Sequence, residues 1–271
     1  MAIGERRVTL KSAPQIERMA VAGRLVADVL DRIGDELRPG ISTAELDELA
    51  TELIRAAGAT PSFIGVPGPK RPYSHATCIS IDQEVVHGVP GRRRVEDGQI
   101  VSVDVGAIVD GWHGDGARSF LVGAASEEAC RLVEATERAM YAGIAAARPG
   151  NHLGDISAAV EDVALAAGFG VVRAFVGHGI GTEMHEEPQV LNFRGPSRGR
   201  LIEPGLCLAI EPMFTLGSHD VHLSDDGWTV VTSDGRLAAH WEHTIAVTAA
   251  GPRILTTNGA TGKALAGEGD N

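Results

Sequence analysis

Two helix-stop signals recur in this chain at a single spacing, and that repeat constrains the fold more than any composition figure does. Arg38-Pro39-Gly40 is matched by Arg148-Pro149-Gly150, and Ala56-Ala57-Gly58 by Ala166-Ala167-Gly168, both at an offset of 110 residues (150 − 40 and 168 − 58). A Pro-Gly stop is common by itself, but two at one offset point to a duplicated unit. The start signals fit the same scheme. Ser12 with Pro14 and Gln15, and Ser42 with Glu45, are capping-box patterns that open two helices. Ser126-Glu127-Glu128 opens a third, and the fourth is expected from about Asp155. The strands repeat too. Gly98 to Asp104 and Gly205 to Glu211 each read glycine, five mostly apolar residues, then a carboxylate, 107 residues apart (211 − 104). Each half then supplies a second acid ahead of an apolar run: Asp115 before Phe120-Leu121-Val122, and Glu242 before Ile245-Ala246-Val247. The expectation is an α+β chain of two pseudo-symmetric halves, an antiparallel sheet covered by helices. The halves fall at about residues 11–123 and 124–257 of one domain, 11–257, with tails at 1–10 and 258–271.

Asp110-Gly111 is a hairpin turn signal, and a two-residue loop there makes paired positions sum to 221. Asp104 then faces Ala117, and Asp115 lies two residues further along the same face. Carboxylates this close repel one another and are costly to bury unless a cation intervenes. The repeat adds Glu211 and Glu242 at equivalent places, and the chain offers no Lys or Arg next to all four acids. A pair of divalent metal ions, bound by hard oxygen donors, is the economical solution. One nitrogen ligand is available from His178, flanked by glycines in Gly177-His178-Gly179-Ile180-Gly181. His87 and His185 form a further symmetric pair, each reading His-x-x-Pro upstream of the strand that ends in an acid. Their placement suits hydrogen bonding to a substrate rather than ligation.

The remaining features exclude other classes. A formal charge of −12 argues against a nucleic-acid binder held by phosphate contacts. Arg92-Arg93-Arg94 is a local exception and reads as a solvated loop tip. Cys78, Cys130 and Cys207 are an odd set with no framework spacing, as expected in a reducing compartment. No secretory leader and no long uncharged apolar run is visible, so a cytoplasmic protein with no membrane contact, a monomer, is expected.

Together these motifs resemble the type I methionine aminopeptidases, members of the pita-bread metallopeptidases. The resemblance runs from about residue 9 to 256. It is carried by Cys78-Ile79-Ser80, His87-Gly88-Val89-Pro90, the Asp104/Asp115 pair, the His178 segment, His185-Glu186-Glu187-Pro188, Ile210-Glu211-Pro212-Met213 and Trp241-Glu242-His243-Thr244. It implies a pita-bread fold and removal of the initiator methionine from nascent proteins when the second residue is small. A hydroxide bridging two ions, of Co, Mn, Fe or similar, would attack the first peptide bond. Asp104, Asp115, His178, Glu211 and Glu242 would hold the metals, with Glu211 also moving the proton of the water. His87 and His185 would steady the intermediate and the peptide. Tyr73, Cys78, Met184 and Trp228 would build the methionine pocket. N-terminal methionyl peptides and nascent chains are the implied partners, with the ribosome as a family expectation. Two departures stand out: Gly116 follows the bridging aspartate where a hydroxyl residue is usual, and Met184 precedes the second histidine where an aromatic is usual. An X-Pro dipeptidase on the same fold is the competing reading. Such enzymes carry a longer N-terminal domain, for which about 10 residues before the first helix leave no room.

Overall fold

The structure, a computed structural model, describes residues 8–258; residues 1–7 and 259–271, most of the two expected tails, lie outside the described residues. The first half runs α1 (Ala13–Glu36), α2 (Thr43–Ala56), β1 (Thr60–Pro61), β2 (Thr77–Ile81), β3 (Glu84–Val86), β4 (Ile100–Val109) and β5 (Trp112–Leu121). The second runs α3 (Glu127–Ala146), α4 (Leu153–Ala167), β6 (Gly170–Val171), β7 (Gly177–Gly179), β8 (Glu186–Val190), β9 (Cys207–Ile210) and β10 (Met213–Thr215). It ends with β11 (Val221–Leu223), β12 (Val230–Thr232), β13 (Ala238–His240), β14 (Glu242–Thr248) and β15 (Gly251–Ile254).

The helices begin for reasons written in their first turns. Ser42 and Glu45 cap α2 reciprocally: the Ser42 N–H donates to Glu45 Oε2 at 2.8 Å, and the Glu45 N–H to Ser42 Oγ at 3.2 Å. The fourth helix starts at Leu153, two residues before the expected Asp155. Asp155 is instead its third residue and takes the His152 N–H at 2.7 Å, the role Glu45 plays 110 residues earlier (155 − 45).

A nine-stranded antiparallel sheet joins the halves in the order β1-β4-β5-β14-β9-β7-β8, with β2 beside β4 and β15 beside β14. One face of β4, with Val101, Val103 and Val105, packs on Val26, Leu30, Ile33 and Leu46 of α1 and α2. The matching face of the second half, with Leu208, Ile210, Ile245 and Val247, packs on Met140, Ile144 and Ile156 of α3 and α4. Burial of such aliphatic side chains is the main stabilising term. Helix α1 comes unusually close to β5, because a Cβ on Gly114 would stand 2.6 Å from the Gly23 nitrogen. The opposite face of the sheet is left for the site.

The halves meet at β5 and β14, where Ala117 pairs with Glu242 and Gly116 with His243, positions that sum to 359. Two hydroxyls close this short ladder at either end, in the same register. Thr244 Oγ1 accepts the Asp115 N–H at 3.1 Å and donates to the Asp115 carbonyl at 2.8 Å. Ser119 Oγ accepts the His240 N–H and donates to the His240 carbonyl, both at 2.9 Å. Each clamp satisfies a buried main-chain pair that a side chain, not a strand, must serve. Two further three-stranded sheets, β13-β10-β6 and β11-β12-β3, complete the fold. Val8 packs on the second-half core and the Thr9 hydroxyl donates to Glu186, so residues at the end of the expected N-terminal tail lie against the body.

Candidate metal centre

The sheet register alone brings five distant side chains to one face. Cys78 pairs with Asp104, Asp104 with Ala117, and Ala117 with Glu242. The β14–β9 register sums to 453 (243 + 210), so continued one step it sets Glu211 opposite Glu242 (242 + 211). Two residues along runs a parallel row, in which Gly106 pairs with Asp115 and Thr244 and His178 each pair with Ala209. Side chains two apart on a strand share a face. Asp104, Asp115, Glu211, Glu242 and His178 are therefore set on one face of the sheet. The hairpin that sets the first row turns through Asp110 and Gly111 at φ 49° and 77°, the conformation a two-residue turn requires.

Asp115, His178 and Glu242 each bring a ligand atom to within 4.8 Å of the others. His178 Nε2 stands 3.5 Å from Glu211 Oε1 and 3.8 Å from Asp115 Oδ2. Its Nδ1 lies 2.8 Å from the Gly179 carbonyl, which selects the tautomer with a lone pair on Nε2, aimed at the acids. Burial lowers the His178 pKa to about 3, so the ring is neutral at physiological pH and free to offer Nε2 to a cation. The main chain of Glu211 is anchored as its carbonyl accepts Asn192 Nδ2 at 3.0 Å.

The electrostatics fit a cation. Asp115 and Glu242 are each 3 % exposed. Burial first, and then the charges of neighbouring acids, push Asp115 and Glu242 well above the usual carboxylate range. Glu211 rises for the same reasons, and burial pushes Asp104 up to about 7. Three carboxylate oxygens, Asp104 Oδ1, Asp115 Oδ1 and Glu242 Oε1, are buried with no hydrogen-bond partner among the described residues. Orphaned buried acceptors of this kind are costly. Four acids and one imidazole form a hard, oxygen-rich donor set for divalent ions.

Beside this cluster opens a cavity of about 320 Å³, lined by Tyr73, Cys78, Trp228, His87 and His185 together with Asp104, His178 and Glu211. Tyr73 meets Trp228 edge-on at 4.9 Å, and its hydroxyl donates to the Thr77 carbonyl at 2.8 Å, leaving an apolar ring towards the cavity. Burial and the nearby Asp104 raise the Cys78 thiol, so it is a packing group rather than a nucleophile. Met184 belongs to the same apolar cluster as Tyr73 and Cys78 but is not on the cavity wall. His185 stacks edge-on with His178 at 4.5 Å, and His87, lowered to about 4 by burial and by His185, stands edge-on to Phe175 at 5.3 Å.

The sequence did not single out Phe63, Phe175 or His240, which also line the cavity. His240 has a signal after all: it lies two residues before Glu242, and its buried Nε2, otherwise unpartnered, is 4.0 Å from Glu211 Oε2. Phe63 and Phe175 sit in loops with no periodicity to expose them. The arginine run is partly engaged: Arg93 makes two 2.6 Å bonds to Glu84, and Arg94 reaches the Gly40 carbonyl.

The family model for metallopeptidase family M24 matches residues 17–249. The chain is 47% identical over 249 residues to a methionine aminopeptidase of Clostridium perfringens, covering 92% of this chain and 98% of that one. It is 48% identical over 260 residues to methionine aminopeptidase 1 of Mycobacterium tuberculosis, covering 93% and 96%. Among solved structures, the methionine aminopeptidase of Thermotoga maritima superposes with a TM-score of 0.89 at 39% identity, covering 93% of this chain and 100% of that chain. An Xaa-Pro dipeptidase from Bacillus anthracis shares the fold at 22% identity and a TM-score of 0.71, covering 92% of this chain and 62% of that one.

Proposed function

The chain belongs to metallopeptidase family M24, and from that premise we propose that it cleaves the initiator methionine from nascent polypeptides whose second residue is small. It is a hydrolase with methionyl aminopeptidase activity. The observation that carries the finer reading is the placement, on one sheet face, of five ligand-type side chains with orphaned oxygens beside a cavity of about 320 Å³ with an aromatic wall.

In this reading Asp104, Asp115, His178, Glu211 and Glu242 hold two divalent ions. When bound, such ions polarise a carbonyl and make water acidic enough to act as nucleophile near neutral pH. Glu211, at the edge of the cluster and facing the cavity, holds and returns the proton at its carboxylate. His87 and His185, on the cavity wall, donate hydrogen bonds to the peptide carbonyl and orient the scissile bond. Tyr73, Cys78 and Trp228, with Phe63, enclose an unbranched thioether side chain in a polarizable apolar wall.

Incubating the protein with Met-Ala-Ser and Mn(II) or Co(II) is expected to release free methionine. Absence of release under every divalent metal would sink the reading. Ala-Pro should be cleaved far more slowly, since a methyl side chain leaves the apolar wall of Tyr73, Cys78 and Trp228 unfilled.

A further inference from the structure

The cavity beside the metal centre does not end at the methionine pocket. A second concavity of about 410 Å³ adjoins it, and His87, Phe175 and Trp228 line both. The three rings form a sill, with His87 edge-on to Phe175 at 5.3 Å and to Trp228 at 6.5 Å. Beyond the sill the wall is β11, whose residues Val221, His222 and Leu223 all face the concavity.

Among the described residues, strand β11 is an edge. Its sheet runs β11-β12-β3, so β12 covers one side only. The Ser224 N–H donates to the Thr229 carbonyl at 2.8 Å, and the Ser233 N–H to the Asp220 carbonyl at 2.9 Å. These bonds put the main-chain groups of 220, 222 and 224 towards β12. Alternation then turns the N–H and C=O of Val221 and Leu223 to the open side. Leu223 is 50% exposed, an apolar side chain on an open edge, which folded proteins ordinarily cover or charge.

An extended polypeptide is the occupant this edge fits, and one is already implied by the neighbouring site. A substrate whose first side chain fills the pocket must carry its remaining residues out across the sill. An extended chain leaving the pocket crosses the shared sill of His87, Phe175 and Trp228 and runs on into the concavity that β11 lines. We propose that the trough along β11 binds the third and following residues of the substrate as an added antiparallel or parallel strand on Val221 and Leu223. This rests on the aminopeptidase reading of the site. Pairing through main-chain groups makes the subsite tolerant of sequence, as an enzyme acting on many different chains requires, and it demands an unfolded, extended N-terminus.

The test compares Met-Ala-amide with a six-residue peptide, Met-Ala-Ser-Val-Thr-Val-amide, under Mn(II). The longer peptide is expected to show a kcat/KM about tenfold higher, the size of one or two net hydrogen bonds. N-methylation at consecutive positions from residue 3 should lower it with a period of two. Leu223→Pro, which deletes an open-side N–H without touching a bond to β12, should remove most of the gain while leaving Met-Ala-amide turnover unchanged. Equal kcat/KM for the two lengths, or equal losses at every N-methylated position, would overturn the added strand while methionine release upholds the catalytic reading. Release from neither peptide overturns both.

Discussion

Thr244 holds Asp115 by both of its main-chain groups, its hydroxyl accepting the N–H at 3.1 Å and donating to the carbonyl at 2.8 Å. The bond crosses from one half of the molecule to the other, beside the proposed metal-binding cluster. Thr244→Val keeps the shape and leaves both Asp115 groups buried without partners, a cost of about 2 kcal/mol. Metal affinity is expected to fall about tenfold with it, since an aspartate ligand loses its anchor. Thr244→Ser should restore both. Chemical denaturation and calorimetric metal titration read the two effects. Ser119→Ala, at the other end of the ladder, should lower stability similarly but leave metal affinity closer to wild type, because the residue it clamps is His240.

The four acids set the pH dependence of the metal-free protein. Burial raises all four, Asp104 to about 7, and neighbouring acid charges add to it at Asp115, Glu211 and Glu242, so without a cation the folded state keeps protons that the unfolded chain has released. Their contribution to stability is present below the unfolded carboxylate pKa and is lost as pH rises through the raised folded values. A divalent ion binds the deprotonated set and reverses that sign. The melting-temperature difference between Mn(II)-loaded and EDTA-treated protein should therefore widen from about pH 5 to about pH 7.5. A constant or shrinking difference would contradict the raised cluster.

Glu211→Gln separates chemistry from fold. The amide keeps the volume and loses the negative charge and the proton acceptor. Turnover of Met-Ala-Ser is expected to drop by at least about 10²-fold. Because one repelling charge leaves the cluster, melting in EDTA should stay level or rise. A fall in EDTA stability together with retained turnover would remove Glu211 from its assigned role.

Much of this was legible because it depends on period and turn. Asp110-Gly111 fixes a two-residue loop, and from it the register of Asp104 with Ala117 follows by counting. The repeat then carries the same logic to Glu211 and Glu242. What escaped depends on partners distant in sequence. Ser119 and Thr244 read as ordinary strand residues until the opposite half supplies the main chain they clamp. His152 is a poor N-cap by residue type, so α4 was expected to start late. The β11 trough was out of reach for the same reason, since its sheet joins β3 of the first half to β12 of the second.

Lys11 and Glu186 pair at 2.5 Å with side chains only 5% and 12% exposed, linking the segment before α1 to the turn that carries His185. Lys11 also donates to Thr9 Oγ1 at 2.6 Å, and its own N–H to the Gly205 carbonyl at 2.7 Å. Glu186 accepts the Thr182 N–H at 3.0 Å, which shapes the turn itself. Burial works to raise the Glu186 carboxyl, and the bonds from Lys11 and Thr9 overcome it, holding the group below its ordinary range. Removing Lys11 takes the cation from Glu186 and leaves it the Thr9 hydroxyl and the Thr182 N–H. Lys11→Met is expected to cost about 1.5–3 kcal/mol. It should also lower kcat/KM for methionyl peptides, because His185 sits one residue from the released carboxylate. The double variant Lys11→Met, Glu186→Leu leaves no stranded charge and should recover much of the stability, giving a coupling energy well above that of a surface pair. If the two single changes simply add, the pair is not a unit and His185 is held by something else.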